Sequence, residues 1–406
     1  MLRIKFLILA GLASTLAMAG FFAQAAEGYA PEGLLLTWQQ DPLTTMTIDW
    51  NTGAERESVV QYRKDGEQDW NEAAGHSFPF PYSERTVHRV EITGLEPGTR
   101  YQFRLGEDSV EYAFRTMPAD ISGAPVRFAV GGDTRHNQEW MERTNRQAAK
   151  FDVDFVTWGG DLAYADGRED RLYRWKEWFD AMNELITDDG RVIPVLVGIG
   201  NHEVLGGYYY NHDDYEQTDA WRERIAPYFY ALFAFPGQPG YGVMDFGHYL
   251  SLVLLDTDHS NPVEGTQTEW LETVLAERQH VPHVFPNYHV PAYPSHRSYD
   301  GAVQTRVREN WVPLFEEYNI RVAFENHDHT YKRTHPIRNG EISPDGIVYL
   351  GDGAWGVGTR AGDSKDEWYI NRFASERHAI IATIRGDDRH FVVVSEHEEI
   401  IDQYPE

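Results

Sequence analysis

Residues 159–164 read Gly159-Gly160-Asp161-Leu162-Ala163-Tyr164 and directly follow an apolar run, Phe155-Val156-Thr157-Trp158. The apolar run predicts a buried strand, and the two glycines allow the backbone to turn sharply where that strand ends. Asp161 then stands at the carboxyl end of the strand, which is where α/β sheets place their ligands. Its two carboxylate oxygens could bridge two metal ions. Tyr164 could join them only if a strongly polarising cation removed the phenol proton.

The same arrangement, an apolar strand followed by a polar side chain, occurs four more times along the chain. These strands cover 126–130, 192–197, 284–288 and 321–324, and the polar residues after them are Asp133, Asn201 with His202, His289, and His327 with His329. Helical patterns over 139–150 and 171–186 separate the first three strands of the series. The alternation predicts an α/β domain with one site along the edge of its sheet.

Residues 28–118 have the pattern of a separate all-β domain. Short strands with alternating polarity cover 46–50, 58–62, 87–92 and 101–105, which is typical of a β-sandwich. The Leu-x-Pro-Gly-Thr-x-Tyr sequence at 95–101 resembles that of a fibronectin type III module. Because no cluster of ligand or catalytic groups stands out, we expect a structural or docking role, with glycan or surface binding as the alternative. A linker over 117–125 leads into the second domain, predicted over 124–406.

Charge and cysteine content exclude several classes of protein. The chain of 406 residues has 36 Lys and Arg against 64 Asp and Glu, a formal net charge of -28. A nucleic-acid binder needs a basic face, so we expect no nucleic-acid-binding surface. An acidic surface does not attract phosphate esters at long range, so phosphate chemistry would require local cations. The chain has no cysteine, which excludes thiolate metal sites, thiol nucleophiles and disulfides.

The N-terminus has the layout of a signal peptide. Two basic residues precede an apolar run over 6–19, and two A-x-A cleavage sites end at Ala19 and Ala25. We favour the site ending at Ala25, because polar sequence begins soon after it, and this gives a signal peptide over 1–25. An uncleaved anchor is the alternative, because apolar character continues to Phe22 and approaches the length of about 20 residues that spans a bilayer. Cleavage predicts a secreted or periplasmic protein without a stable membrane anchor.

Four sequence blocks resemble those of the calcineurin-like metallophosphoesterases and, more closely, of their purple acid phosphatase branch. The blocks are Gly160-Asp161-Leu162-Ala163-Tyr164, Gly200-Asn201-His202-Glu203, His289 with Val290-Pro291-Ala292-Tyr293 after it, and His327-Asp328-His329. The N-terminal module agrees, because plant-type members carry such a sandwich before the catalytic domain. The resemblance covers nearly all of the chain after the signal peptide and implies a hydrolase of phosphoric esters.

The resemblance further implies two metal ions that share Asp161 as a bridge. The first ion would be held by Asp133, Asp161, Tyr164 and His329, and the second by Asp161, Asn201, His289 and His327. Carboxylate and phenolate oxygens are hard ligands and suit Fe(III) at the Tyr164 site. Two imidazoles and an amide oxygen suit Zn, Mn or Fe(II) at the second site.

Two positions depart from the family pattern. Asp133 is followed by Thr134-Arg135, whereas other metallophosphoesterases place a histidine ligand at the position of Arg135. Because arginine cannot ligate a metal, Tyr164 is the remaining candidate for that ion. Arg135 is a candidate to bind the substrate phosphate through its guanidinium fork, with a salt bridge to a nearby acid as the alternative. Asn326 stands where the family has glycine, which affects loop geometry and leaves the ligand set complete.

The implied metal pair suggests the reaction. Metal-bound hydroxide would attack the phosphate in line while both ions hold the phosphoryl oxygens, and a poor leaving group would need a proton donor. His202 matches the acid of the family, and His296, in the loop after His289, is the second candidate. We therefore predict a secreted dinuclear enzyme that hydrolyses phosphate monoesters. A phosphodiesterase or nucleotide hydrolase on the same core is the close alternative, and a non-catalytic adhesion or binding protein is the alternative from another class.

Overall fold

A computed structural model describes residues 31–405. The first part of the chain forms two antiparallel four-stranded sheets, with strand orders β1-β2-β6-β5 and β4-β3-β7-β8. The strands are β1 Glu32–Thr37, β2 Met46–Thr52, β3 Val59–Lys64, β4 Asn71–Ala74, β5 His76–Pro79, β6 Thr86–Ile92, β7 Arg100–Arg104 and β8 Tyr112–Arg115. Inward residues alternate with half-exposed ones along β6 and β7, as expected of a sandwich with one buried face per sheet.

The second part contains two larger sheets and seven helices. The strands are β9 Val126–Gly131, β10 Phe155–Trp158, β11 Val195–Val197, β12 Gly242–Phe246, β13 Leu250–Leu255, β14 His283–Tyr288, β15 Val322–Glu325, β16 Tyr331–Thr334, β17 Ile337–Arg338, β18 Glu341–Ile342, β19 Val348–Gly351, β20 Ile370–Ala374, β21 His378–Arg385, β22 Asp388–Ser395 and β23 Ile400–Tyr404. The helices are α1 Gln138–Lys150, α2 Tyr173–Met182, α3 Asp219–Ile225, α4 Pro227–Leu232, α5 Thr266–Glu277, α6 Ala302–Asn310 and α7 Val312–Glu317.

Both large sheets are mixed, and each contains a parallel part that ends at the predicted site. One sheet has the order β11-β10-β9-β21-β22-β23, in which β9, β10 and β11 are parallel. The other has the order β12-β13-β14-β15-β19-β16-β20, in which β13, β14, β15 and β19 are parallel. Parallel strands deliver their carboxyl ends to the same edge. The loops after β9, β10, β11, β14 and β15 therefore bring the predicted polar residues together.

Aromatic side chains pack the two large sheets together and join them to the N-terminal sandwich. The rings of Phe128 and Phe285, one from each sheet, lie with centroids 5.9 Å apart. Trp38 of the sandwich is fully buried and meets Phe155 and Phe246 edge to face, at 6.0 and 5.6 Å. These residues belong to one continuous core. Burial of such large rings stabilises both the sheet pair and its contact with the sandwich.

The predicted fold class is confirmed: a β-rich N-terminal domain precedes an α/β domain whose parallel strands end at the predicted site. The predicted signal peptide over 1–25 lies outside the described residues. The predicted domain limits, 28–118 and 124–406, remain a prediction. None of the helices within residues 31–405 has the length and apolar character needed to cross a bilayer.

Candidate metal centre

Three predicted ligands from three separate loops meet in a first cluster. The phenol oxygen of Tyr164 lies 3.0 Å from Asp133 Oδ1 and 3.1 Å from His329 Nε2. His329 Nε2 and Asp133 Oδ1 are themselves 3.0 Å apart. The His329 ring donates from Nδ1 to the carbonyl oxygen of Gly358, which leaves Nε2 with its lone pair. Atoms about 3 Å apart have the spacing of neighbouring ligands on one ion with bonds of about 2.1 Å.

A second cluster forms beside the first around Asp161. His289 Nε2 lies 3.1 Å from Asp161 Oδ2, 3.2 Å from Asn201 Oδ1 and 2.9 Å from His327 Nδ1. The ligand atoms of Asp161, His289 and His327 all lie within 4.8 Å of one another, and all three residues are buried. The backbone N–H of His327 donates to Asp133 Oδ2 over 2.9 Å, so a hydrogen bond links the two clusters directly.

The donor set of the second cluster fits a cation better than a proton. Nδ1 of His289 donates to the carbonyl oxygen of Gly159, so Nε2 has at most one proton for three neighbouring atoms, two of which are oxygen acceptors and one a ring nitrogen of His327. Burial lowers the pKa of His289, but Asp161 and Asp133 outweigh burial and raise it to about 9. Burial likewise opposes ionisation of Asp161, and the neighbouring His289 and His202 hold the pKa of Asp161 well below its usual range. The buried centre thus favours a positive charge.

The first cluster also favours a bound cation, as the pKa of the Tyr164 phenol indicates. Its ring is almost fully buried. Burial first, and then the carboxylates of Asp133 and Asp161, raise the pKa of Tyr164 well above its usual value. The phenol therefore stays neutral in the protein alone, and it becomes a phenolate only beside a strongly charged cation.

Backbone strain is concentrated at the site. Five of the seven predicted ligands have a positive φ without being glycine, and the angles are 55° for Asp133, 54° for Asp161, 58° for Tyr164, 82° for His327 and 58° for His329. Such residues cost of order 1–3 kcal/mol each and persist only where the surroundings fix them. The sharp turns that follow the strands are therefore held by other contacts.

Glu203 is one of the residues that fix these turns. Its buried carboxylate accepts hydrogen bonds from the backbone N–H groups of Asp161, Leu162 and Gly200, each over 2.8 Å. It thereby ties the loop after β10 to the loop after β11. The approach is close, because a Cβ on Gly160 would lie 2.6 Å from the Gly200 nitrogen. Glu203 was not predicted to act, and its place directly after His202 was the available signal.

Asn326 is accommodated between the loops. Its side chain donates to the carbonyl oxygen of Tyr288 over 2.8 Å and lies against the backbones of Gly132 and Gly159. A Cβ at either glycine would collide with it. Asn326 stands where the family has glycine, and its side chain fits because the two facing loops have glycine at positions 132 and 159.

His202 lies beside both clusters, and one of its ring nitrogens is hydrogen-bonded to a carboxylate that belongs to neither cluster. Its Nδ1 lies 2.5 Å from Asp166 Oδ1, and Asp166 in turn forms an ion pair with Arg171. The Nε2 atom lies 3.9 Å from Asp161 Oδ2, and the ring packs on Tyr164 with centroids 4.2 Å apart. Because Asp166 accepts from Nδ1, Nε2 is directed to the metal centre. Asp166 follows the quoted Tyr164 block by two residues and was not predicted to act.

The other two predicted site residues have different surroundings. His296 lies in the loop after β14, where its Nδ1 is 3.5 Å from Asp363 Oδ2. Within residues 31–405 no hydrogen bond or ion pair links it to the seven predicted ligands. The Arg135 guanidinium forms an ion pair with Glu177 on α2, which was the alternative considered for it. A phosphate contact by Arg135 stays a prediction.

Asp328 and His136 were also missed by the sequence analysis. Oδ2 of the fully buried Asp328 accepts from the backbone N–H groups of Ser295, His296 and Arg297. It thus fastens the loop that bears His296 to the His327–His329 turn. The His136 ring meets Tyr164 edge to face at 4.4 Å. His136 directly follows Arg135, the position where other metallophosphoesterases have a histidine ligand, and this was the available signal.

Comparison with known families agrees with this geometry. The family model described as Calcineurin-like phosphoesterase matches residues 126–331, just over half of the chain, and the one described as Purple acid Phosphatase, N-terminal domain, matches residues 31–116. The chain belongs to the calcineurin-like phosphoesterases. Its N-terminal domain places it with the purple acid phosphatase-like members, as the sequence blocks predicted.

Individual relatives point the same way. Purple acid phosphatase 21 of Arabidopsis thaliana is 28% identical over 325 residues, which cover 77% of this chain and 68% of that protein. Acid phosphatase type 7 of Mus musculus is 26% identical over 362 residues, covering 79% and 75%. The solved structure of a purple acid phosphatase from yellow lupin seeds superposes with a TM-score of 0.76 at 18% identity, over 92% of this chain and 74% of that one. This last likeness concerns the fold.

The protein is accordingly a metal-dependent phosphoric ester hydrolase of the metallophosphoesterase type. The alternative of a non-catalytic adhesion or binding protein is not supported, because the chain belongs to an enzyme family and has all seven predicted ligand residues. The assignment of individual ligands remains a prediction that the two clusters support.

Glu203 provides a test of how the loops support the site. In Glu203→Gln the amide NH₂ would face backbone N–H donors, so at least one of the three hydrogen bonds is lost. Metal affinity should fall by about 10- to 100-fold, as expected for a residue that orients ligands without binding the ion. Metal content after dialysis against a graded chelator measures this. Glu216→Gln, an exposed change on the following loop, is the control. Equal metal retention in both variants would show that Glu203 does not support the site.

Proposed function

We propose that the protein is a secreted dinuclear phosphomonoesterase of the acid phosphatase type. The observation that carries the proposal is the pair of adjacent ligand clusters, one containing a buried phenol and the other two imidazoles and an amide. The relatives named as acid phosphatases agree with monoesters as substrates. Hydrolysis of phosphodiesters or nucleotides on the same core is the second candidate.

Each cluster suits a different ion. Asp133, Tyr164 and His329 would hold Fe(III), because a buried phenol with a raised pKa gives up its proton only to a hard, highly charged cation. Asn201, His289 and His327 would hold Zn, Mn or Fe(II), with Asp161 bridging both ions. When bound, the two metals supply Lewis acidity and a nucleophile available at mild pH.

The residues around the metals orient the substrate and move protons. Asp166 fixes the His202 ring, so that Nε2 faces the centre and can donate a proton to the departing alcohol oxygen. Glu203 and Asp328 keep the loops in place through backbone hydrogen bonds. His296 is a weaker candidate for the same acid role, because its Nδ1 faces Asp363.

Secretion is part of the proposal and rests on the sequence of residues 1–25, with a basic start, an apolar run and an A-x-A site ending at Ala25. A protein without cysteine needs no disulfide formation outside the cytoplasm, and its stability there would come from packing. The protein would act outside the cell or in a periplasm.

The role of His202 predicts a dependence on the leaving group. An alkoxide is a poor leaving group and needs a proton, whereas p-nitrophenolate does not. His202→Ala should therefore lower kcat/KM for ethyl phosphate by about 100-fold or more, and for p-nitrophenyl phosphate by less than about tenfold. Steady-state kinetics on both esters, with metal content measured in parallel, provide the test.

His248→Ala, which removes an exposed histidine, is the control for the His202 variant. Equal losses on the two esters, or loss of a metal from His202→Ala, would show that His202 is not the proton donor. A wild-type protein that hydrolyses diesters and leaves both monoesters intact would contradict the monoesterase proposal itself.

Tyr164 predicts a visible colour. Phenolate bound to Fe(III) has a low-energy charge-transfer transition, so the oxidised iron-loaded protein should absorb visible light. Tyr164→Phe keeps the buried ring and removes only the oxygen, so the band should vanish while far-UV circular dichroism stays the same. Visible spectra with iron analysis of both proteins test this, and Tyr208→Phe is the control. Iron-loaded wild type without a band, or a band that survives in Tyr164→Phe, would exclude Tyr164 as a ligand.

A further inference from the structure

A cavity of about 510 Å³ lies between the N-terminal sandwich and helix α2. We call it the junction cavity; none of the seven proposed metal ligands lines it. Its size falls within the range of roughly 300–1,000 Å³ that is usual for small-molecule sites. The walls are in close contact where β1 meets α2, because a Cβ on Gly33 would lie 3.0 Å from the Phe179 ring.

Four of the side chains that line the junction cavity are aromatic. Phe80 of the sandwich meets Phe179 of α2 edge to face, with ring centroids 6.3 Å apart. Trp175 lies one turn before Phe179, at 6.0 Å. Tyr173 also lines the cavity and is exposed to solvent, so the cavity can be reached from outside. Rings on both walls favour a flat aromatic ligand, which can stack on them or meet their edges.

The charged side chains of the junction cavity are already paired with each other. Arg85 forms an ion pair with Glu32 over 2.9 Å, and Lys176 forms one with Asp180 over 2.7 Å. Arg85 also donates from Nε to Asn51 Oδ1 over 2.5 Å. A charged ligand would have to break these pairs, and the hydroxyl groups of a sugar would find few free partners. The lining therefore favours an uncharged molecule.

One polar group of the lining does lack a partner. The Trp175 side chain is buried, and its indole N–H makes no hydrogen bond to any residue within 31–405. A buried donor without an acceptor is unfavourable. Because this ring lines the junction cavity, a molecule bound there can supply the acceptor. The ligand should therefore carry an oxygen or nitrogen atom with a free lone pair.

Another face of α2 holds the loops of the metal centre. Arg174 donates to the backbone carbonyl oxygen of Tyr164 over 2.6 Å. The indole N–H of Trp178, one turn further on, donates to Thr134 Oγ1 over 2.9 Å. Thr134 directly follows the proposed ligand Asp133. A single helix thus separates the junction cavity from the loops that bear two proposed ligands.

We propose that the junction cavity binds an uncharged aromatic molecule with a hydrogen-bond acceptor, and that this molecule stabilises the metal centre through α2. A ligand held between the sandwich and α2 would keep the helix against the metal loops. Metal binding and ligand binding would then strengthen each other. The proposed site lies outside the metal centre, so it does not depend on which phosphate ester is hydrolysed.

The first experiment tests binding with Prodan, an uncharged naphthalene with a ketone oxygen, whose emission moves to shorter wavelength in an apolar site. Titration of the metal-loaded protein should show saturable binding. Lys176→Trp removes an exposed lysine and places a large ring at the cavity wall. The dissociation constant should therefore rise by about tenfold or more. Lys150→Trp, at an exposed lysine paired with Glu398, is the matched control and should bind Prodan as wild type does.

The second experiment tests the hydrogen bond from Trp175. Trp175→Phe keeps an aromatic ring and removes the N–H, so Prodan should bind about two- to tenfold more weakly, the value of one neutral hydrogen bond. Dimethylaminonaphthalene, which lacks the ketone, should bind both proteins equally. Equal losses for the two probes would show that Trp175 acts through packing alone and would overturn the need for an acceptor.

The third experiment tests the link to the metal centre. Metal content is measured after dialysis against a graded chelator, with and without saturating Prodan. Prodan should raise metal affinity by about fivefold or more, which is the lower end of usual coupling between sites. The effect should disappear in Lys176→Trp and persist in Lys150→Trp.

Three results would contradict the proposal. Equal Prodan affinity in wild type and Lys176→Trp would place the probe elsewhere and overturn the junction cavity as its site. Displacement of Prodan by cellobiose, an uncharged sugar, would assign the cavity to saccharides and overturn the aromatic ligand. Unchanged metal retention with Prodan bound would overturn the link through α2.

Discussion

The structure depends on one electrostatic constraint, the convergence of negative and lone-pair atoms at the meeting edges of two sheets. Five strand ends deliver seven oxygen and nitrogen donors, whose closest pairs lie 2.9–3.2 Å apart. Buried groups of this kind repel one another unless a cation lies among them. The raised pKa of His289 and the lowered pKa of Asp161 are the response of the protein alone to that constraint. Metal binding and the stability of these loops are therefore coupled.

The remaining architecture serves to hold these turns. Because the strands are parallel, the loops after them lie at a common edge. Five of the seven proposed ligands in these loops have strained, positive φ angles. Buried carboxylates compensate for the strain through backbone hydrogen bonds, Glu203 between the loops of one sheet and Asp328 between those of the other. Asp328 also contacts the Arg297 guanidinium, and a third carboxylate, Asp166, orients the His202 ring.

The fold class was predictable from the sequence because it follows from local pattern, and the ligands were proposed from the same pattern together with the resemblance to the metallophosphoesterases. An apolar run that ends in Asp, Asn or His predicts a strand end with a ligand, and the strand that precedes Asp161 is observed at the predicted residues. Long-range partners were not predictable in this way. The ion pair of Arg135 with Glu177 and the approach of Arg360 to His327 join residues separated by tens of positions. The positive φ angles follow from loop closure, which single residues do not reveal.

The most direct test is anomalous X-ray diffraction from crystals of the protein purified with its native metals, at the iron edge and at the edge of the second metal. Two peaks about 3.5–4 Å apart are expected, an iron peak among Asp133, Tyr164 and His329 and a second among Asn201, His289 and His327, with the Asp161 carboxylate between them. A single peak, or a pair of peaks away from these side chains, would contradict the dinuclear centre.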